Sequence, residues 1–240
     1  MDISRVPDIP LVHGDFLASK KLALVRVLCR KSGGEIVEAS DINDDSIRKA
    51  VKKLALFDST GQLRDVSTIV NELTVMKLAQ HPHVMKMESV AMCEDYIAIL
   101  MPMCSRGSLD LKRAHLTQDQ VDRYFVQTAC GLRYLHTQNI VHGDVKLGNI
   151  FIDASDNAIL SDFGHSRILP CGQDTVTTWG GTLGYRGPEF ENSGVPIKAF
   201  PVSACTYSST SIVKIYLMFS MSVVTCSHNF VLSLFTIQLV

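Results

Sequence analysis

The stretch VHGDVKLGNIFI, Val141 to Ile152, decides how this chain is read. Asp144, Lys146 and Asn149 stand at offsets zero, two and five, and an apolar, strand-like run follows them. The spacing raises the question of what chemistry wants an acid, an amine and an amide so close together. Gly143 stands directly before the acid, where an arginine is half expected.

The flanks supply the frame. Upstream, Leu116 to His136 carries Val121, Phe125, Ala129, Leu132 and Leu135 at helical spacing, with Thr117 as its N-cap. Downstream, residues 150–153 and 158–162 read as two short strands around the turn Ser155-Asp156-Asn157. Nearer the start, residues 22–28 alternate as a strand, residues 29–34 turn, and residues 35–40 and 46–56 form two more strands. Residues 66–80 place Ile69, Leu73 and Met76 on one helix face, and His81-Pro82 ends that helix. Residues 85–92 and 95–101 read as a hairpin around Glu94-Asp95. The pattern predicts five strands and one helix, then a mainly helical part joined near residues 102–108.

Composition narrows the function classes. The chain has 240 residues and a net charge of −1, so no basic field points to nucleic acid. Seven cysteines at irregular spacing, with no CxxC pair, speak against a disulfide scaffold and a zinc site. The first residues hold no apolar run of signal-peptide length, so the expected setting is cytoplasmic (intracellular). After Glu191 there is no Asp or Glu, and from Ile215 to Val240 only His228 can carry a charge.

The opening stretch has company in a fixed order. Asp162-Phe163-Gly164 lies 13 residues after Asn149, and Gly181-Thr182 and Gly187-Pro188-Glu189 close a 28-residue segment that starts at Asp162. Ala50-Val51-Lys52 precedes Glu72 by 20 residues, and HPHVMKM follows. Singly, Lys52 would be a solvated strand end, Glu72 a surface helix acid, and Asp144 and Asp162 turn residues. Six motifs in order carry more weight than any one of them. From Leu22 to Ala199 the chain resembles a eukaryotic-type protein kinase domain of the serine/threonine type.

That resemblance implies an α+β, two-lobed protein-kinase-like fold: an N-lobe antiparallel sheet plus one helix, and a mainly helical, incomplete C-lobe. Residues 1–21 would be an N-terminal extension, 22–101 the N-lobe, 102–199 a partial C-lobe and 200–240 an atypical hydrophobic tail. The implied partners are ATP, Mg²⁺ and a protein substrate, with no nucleic acid. Lys52 would hold the α- and β-phosphates and Glu72 would orient it. Asp144 would accept the substrate proton, Lys146 would neutralise the transferred phosphoryl, and Asn149 and Asp162 would ligate the metal. Ile36, Ala50 and Phe151 would sandwich adenine, with Met101 as gatekeeper and Pro102-Met103-Cys104 as hinge. Met76, Met87, His142 and Phe163 would stack as an apolar spine.

Three departures shape the functional expectation. In Cys29-Arg30-Lys31-Ser32-Gly33-Gly34-Glu35-Ile36, only Gly34 keeps a place in the family's GxGxxGxV, and Arg30 or Lys31 would have to supply charge instead. Gly143 replaces the arginine that, in the family, pairs with a phosphorylated loop residue, so activity is expected to depend little on phosphorylation at Thr178. The tail offers no acid to match the family's aspartate-bearing helix, and the arginine partner of Glu189 is missing. The tail reads first as translated non-coding sequence and second as a membrane anchor, long enough to span but with a polar centre at residues 225–229. A divergent ending of the lobe is the third reading. The main expectation is a serine/threonine protein kinase; the alternative is a pseudokinase-like interaction module with weak or no phosphotransfer.

Overall fold

The computed structural model describes residues 9–31, 33–112 and 115–170, and beyond them residues 175, 176, 182, 200 and 201. A short helix, α1 (Phe16–Ser19), comes first, and Asp15 caps it by accepting the Leu17 amide at 2.9 Å. Strands β1 (Leu22–Lys31), β2 (Gly34–Asp41) and β3 (Arg48–Ala55) follow, then helix α2 (Ser67–Leu78), then β4 (Ser89–Met92) and β5 (Tyr96–Pro102). All five strands form one antiparallel sheet in the order β1-β2-β3-β5-β4.

Several boundaries differ from the sequence reading, β4 starting at Ser89 rather than Met85 among them, and two of the shifts have a visible cause. Strand β1 runs through Lys31 rather than turning at Cys29, because Cys29, Arg30 and Lys31 stay in register with Ile36, Glu35 and Gly34. An Arg30–Glu35 ion pair of 3.3 Å spans that end of the ladder. Helix α2 stops at Leu78, ahead of His81-Pro82, and Ala79 is already extended.

Register assigns each sheet face its task, since directly opposed residues of an antiparallel pair share a face. Ile36, Lys52 and Ile99 form one row, and Glu38, Ala50 and Met101 the next. Helix α2 packs within the core on this side, burying Ile69, Glu72, Leu73, Val75 and Met76. The alternate residues, including Val37, Ala39, Val51, Ala98 and Leu100, build a second core on the other side, where Phe16 and Leu17 are buried among them. Burying side chains of this size is worth about 1.5–3 kcal/mol each. The segment ahead of β1 reaches the far edge of the sheet as well: Met92 donates to the Pro10 carbonyl at 2.9 Å and its own carbonyl accepts Val12 at 2.8 Å.

The second part is mainly helical, with α3 (Leu109–Lys112) and the long α4 (Gln118–Thr137). Thr117 caps α4 as expected, within a reciprocal box: its hydroxyl accepts the Gln120 amide at 3.3 Å, and the Gln120 side chain accepts the Thr117 amide at 3.1 Å. Short ladders complete it: β6 (Ile140–Val141) pairs with β9 (Arg167–Ile168), and β7 (Ile150–Ile152) with β8 (Ala158–Leu160). Tight 3₁₀ turns at Leu147–Asn149 and Phe163–His165 sit between these strands. Further on, β10 (Thr175–Val176) pairs with β11 (Phe200–Pro201). This is the two-lobed α+β arrangement expected from the motifs. Among the described residues no helix is long and apolar enough to cross a membrane. The expectations on Thr178, Gly181, Gly187 to Glu189 and the tail from residue 202 lie outside the described residues.

Candidate active site

Strand β3 points Lys52 toward α2, and the two elements meet in an ion pair. Lys52 Nζ donates to Glu72 Oε1 at 2.6 Å and to Asp162 Oδ1 at 3.2 Å. The Glu72 side chain is only 5% exposed. Burial works against the Lys52 charge, but the carboxylates of Glu72 and Asp162 outweigh it and hold the ammonium above the usual lysine range. Asp162 itself adopts a left-handed backbone, φ 68° and ψ 81°. For a residue with a β-carbon that costs about 1–3 kcal/mol, a cost met by the packing around it. The next residue, Phe163, is fully buried, with its ring 5.3 Å from that of His142.

The opening stretch folds around Asp144. Its Oδ2 accepts Lys146 Nζ at 2.6 Å and Asn149 Nδ2 at 3.0 Å. Its Oδ1 accepts the Thr182 amide and the Thr182 hydroxyl, each at 2.8 Å. Burial alone would raise the Asp144 carboxyl, but these bonds from Lys146 and Thr182 prevail and lower it to about 2, so it is ionised at neutral pH. Lys146 also reaches the Thr182 hydroxyl at 2.6 Å. Asn149 gives its amide nitrogen to Asp144 a second time, at the main-chain carbonyl, 2.8 Å away. That commits the nitrogen and leaves the side-chain oxygen as a hard donor.

His142 sits beneath this loop, 1% exposed. The Asp144 amide donates to its Nδ1 at 3.3 Å, and its Nε2 lies 3.1 Å from the Ser161 carbonyl. The pairing describes a neutral imidazole with the proton on Nε2. Burial pushes its pKa down to about 4. Met76, His142 and Phe163 are all buried, and Met87 is partly buried against the same core.

Gly143 has a local explanation. Its φ is +79°, and a β-carbon on it would stand 2.4 Å from the His165 carbonyl oxygen. The loop carrying Asp144 and the segment after Asp162 therefore approach more closely here than any side chain allows.

The remaining expected residues are distributed as follows. Ala50 is buried directly opposite Met101, and Ile36, half-buried, stands opposite Lys52. Met103 and Phe151 are partly buried against the main core, and Phe151 forms a bridge with Ser108, a few residues past Pro102-Met103-Cys104. Gly34 has φ +138°, and a β-carbon there would fall 1.9 Å from the Lys53 carbonyl oxygen. Close approach of β2 to β3 thus demands this glycine whether or not a phosphate passes nearby. Arg30, a candidate compensating charge, is spent on Glu35, which also accepts Lys53 at 3.2 Å. Thr182 is the partner that the site reading missed: Gly181-Thr182 stood out as a motif, but its hydrogen bonds to Asp144 could not be read from spacing.

The chain matches the family model for the protein kinase domain over residues 25–205. It is 37% identical over 123 residues to a probable cell cycle serine/threonine-protein kinase CDC5 homolog of Encephalitozoon cuniculi, a match covering 50% of this chain and 26% of that protein. It is 32% identical over 166 residues to the NUAK family SNF1-like kinase 2 of Rattus norvegicus, covering 68% of this chain and 24% of that one. With the cell cycle serine/threonine-protein kinase CDC5/MSD2 of Saccharomyces cerevisiae it shares 29% identity over 159 residues, covering 65% and 23%. The matches span about a quarter of the length of these curated relatives.

Proposed function

Since the chain belongs to the protein kinase family, we propose that it transfers the γ-phosphate of ATP to a serine or threonine hydroxyl of a protein substrate. The observation that carries this is the continuous polar chain Glu72–Lys52–Asp162, which joins the sheet lobe to the helical one at 2.6 and 3.2 Å. Phosphoryl transfer asks a protein for positioning and charge neutralisation rather than covalent chemistry, and these groups supply both.

Each residue then has a task. Lys52, held by Glu72, presents its ammonium to the α- and β-phosphates. Asp144, ionised and fixed by Lys146 and Thr182, orients the substrate hydroxyl and takes its proton as the new P–O bond forms. Lys146 neutralises charge on the phosphoryl in transit. Asn149 and Asp162, one amide oxygen and one carboxylate, are a donor set that suits Mg²⁺ completed by phosphate oxygens and water. When bound, the ion neutralises phosphate charge. Ile36, Ala50, Met103 and Phe151 supply the apolar walls for adenine. The unit in this reading comprises residues 22–101 and 102–199, and the use of ATP points to an intracellular setting.

One feature favours a second reading, an interaction module with little phosphotransfer. Cys29 and Lys31 occupy positions where the family carries glycine, and both are paired into the β1–β2 ladder. A transfer assay with MgATP and generic protein acceptors, using Asp162→Asn as the control, separates the two. Phosphate incorporation by the wild type that the control loses supports the enzyme. Equal incorporation by both refutes it, and none by either favours the module.

A further inference from the structure

Helix α2 carries two adjacent polar residues whose partners belong to different parts of the fold. Glu72 reaches Lys52 on β3 at 2.6 Å. Asn71 turns instead toward the segment after Asp162-Phe163-Gly164, and its side-chain nitrogen donates to the main-chain carbonyl of Ser166. Successive helical residues point about 100° apart. Anchors on both residues therefore fix the roll of the helix about its own axis as well as its position. The buried apolar face of α2 keeps the helix in the core, and the two polar anchors together hold the roll that brings the Glu72 carboxylate to Lys52.

Ser166 is itself held from three sides. Its side chain is fully buried, and its hydroxyl donates to the His142 carbonyl at 3.2 Å. Its amide donates to the Phe163 carbonyl at 2.9 Å. One residue thus touches helix α2, the turn that carries Asp162 and the loop that carries Asp144.

We propose that Asn71 and Ser166 form a latch that sets helix α2 against the catalytic loop, making Asn71 a positioning residue for the Lys52–Glu72 pair. The proposal rests on the phosphotransfer reading for its consequence in catalysis, though not for the latch itself. Asn71 acts as a donor to a carbonyl that also accepts Arg167 Nη1 at 2.8 Å, and shape alone is insufficient: a leucine in its place keeps the size and loses the donor. Thr74 provides the contrast, because its hydroxyl bonds the Val70 carbonyl at 2.7 Å within the same helix.

The test uses the full chain with Asn71→Ala, Asn71→Leu and Thr74→Val. Alanine is the better helix former, so any loosening of α2 in Asn71→Ala cannot come from lost helix propensity. Hydrogen exchange across Ser67–Leu78 should quicken about five-fold in Asn71→Ala, the weight of one ordinary hydrogen bond. Asn71→Leu, which also lacks the donor, should quicken it at least about two-fold, and Thr74→Val should stay within about two-fold of wild type. In kinetics, Asn71→Ala should raise the KM for MgATP by a similar factor while kcat recovers at saturation, because nucleotide reselects the latched form. Exchange in Asn71→Ala no faster than in Thr74→Val, or an Asn71→Leu protein that behaves as wild type, would overturn the latch. If the wild type transfers no phosphate, the functional reading fails by itself, and the exchange measurements still decide the latch.

Discussion

Replacing Gly143 with alanine tests the tightest approach in the catalytic loop. The glycine stands at φ +79°, and the new β-carbon would lie 2.4 Å from the His165 carbonyl oxygen and 3.2 Å from its carbon. A left-handed backbone costs a residue with a β-carbon about 1–2 kcal/mol. Relieving the contact means moving main chain rather than a flexible side-chain end, an overpacking cost of about 1–3 kcal/mol. The expected loss is the sum, about 2–5 kcal/mol, a large share of the 5–15 kcal/mol that holds a typical domain. With a urea dependence of about 2 kcal/mol per molar, the midpoint should fall by about 1–2.5 M. Gly148→Ala is the control: its β-carbon would meet only Lys146 Cε, at 3.9 Å, and its φ is not in the left-handed region. That variant should stay within about 0.5 kcal/mol of wild type. Paired urea titrations decide the matter, and a Gly143→Ala midpoint as high as that of Gly148→Ala would show the contact to be without consequence. Gly143→Arg should suffer at least the same loss, so a loop-sensing cation cannot be restored by that one change.

Three further outcomes follow from the geometry. Gly34→Ala should weaken the β2–β3 pairing and lower Tm without nucleotide present, since its β-carbon would fall 1.9 Å from the Lys53 carbonyl oxygen; unchanged Tm with reduced ATP affinity would reassign this glycine to phosphate contact. Acidification should destabilise the fold through His142, whose pKa drops from 6.5 to about 4 on burial: its neutral form is at no disadvantage above pH 6.5, and stability is lost as pH falls from there toward 4. Between pH 7 and 5 this one group should remove about 2 kcal/mol, and a urea midpoint flat across that range would contradict its burial as a neutral ring. Thr178→Ala should retain most phosphotransfer activity, because Gly143 offers no cation to a phosphorylated loop; near-complete loss of activity would reverse that view.

Local signals were legible in the sequence and long-range contacts were not. Thr117 and the apolar stripe from Val121 to Leu135 announced α4, because capping and 3.6-residue spacing act within a few residues. Asp144, Lys146 and Asn149 were legible for the same reason. The union of Lys52 with Glu72 and Asp162 spans 20 and 110 residues, and only the order of the motifs pointed to it. Helix α1 is four residues long, too short to show any period, and strands β6 and β9 are two residues each. The bond from Asn71 to Ser166 crosses 95 residues and carries no local mark. Gly143 was read as a missing cation; the reason for a glycine, the carbonyl of His165, belongs to another segment entirely.

The segment ahead of β1 also determines how force enters the domain. Among the described residues, a pull from the N-terminal side meets the Pro10 and Val12 bonds to Met92, then the anchored side chains of Phe16 and Leu17, and only then the start of β1 at Leu22. The load is taken up at the β4 edge and on the sheet's outer face, away from the row that holds Lys52. Tension from anything attached upstream should therefore peel this lining before it disturbs the Lys52–Glu72 pair, giving the site a mechanical fuse.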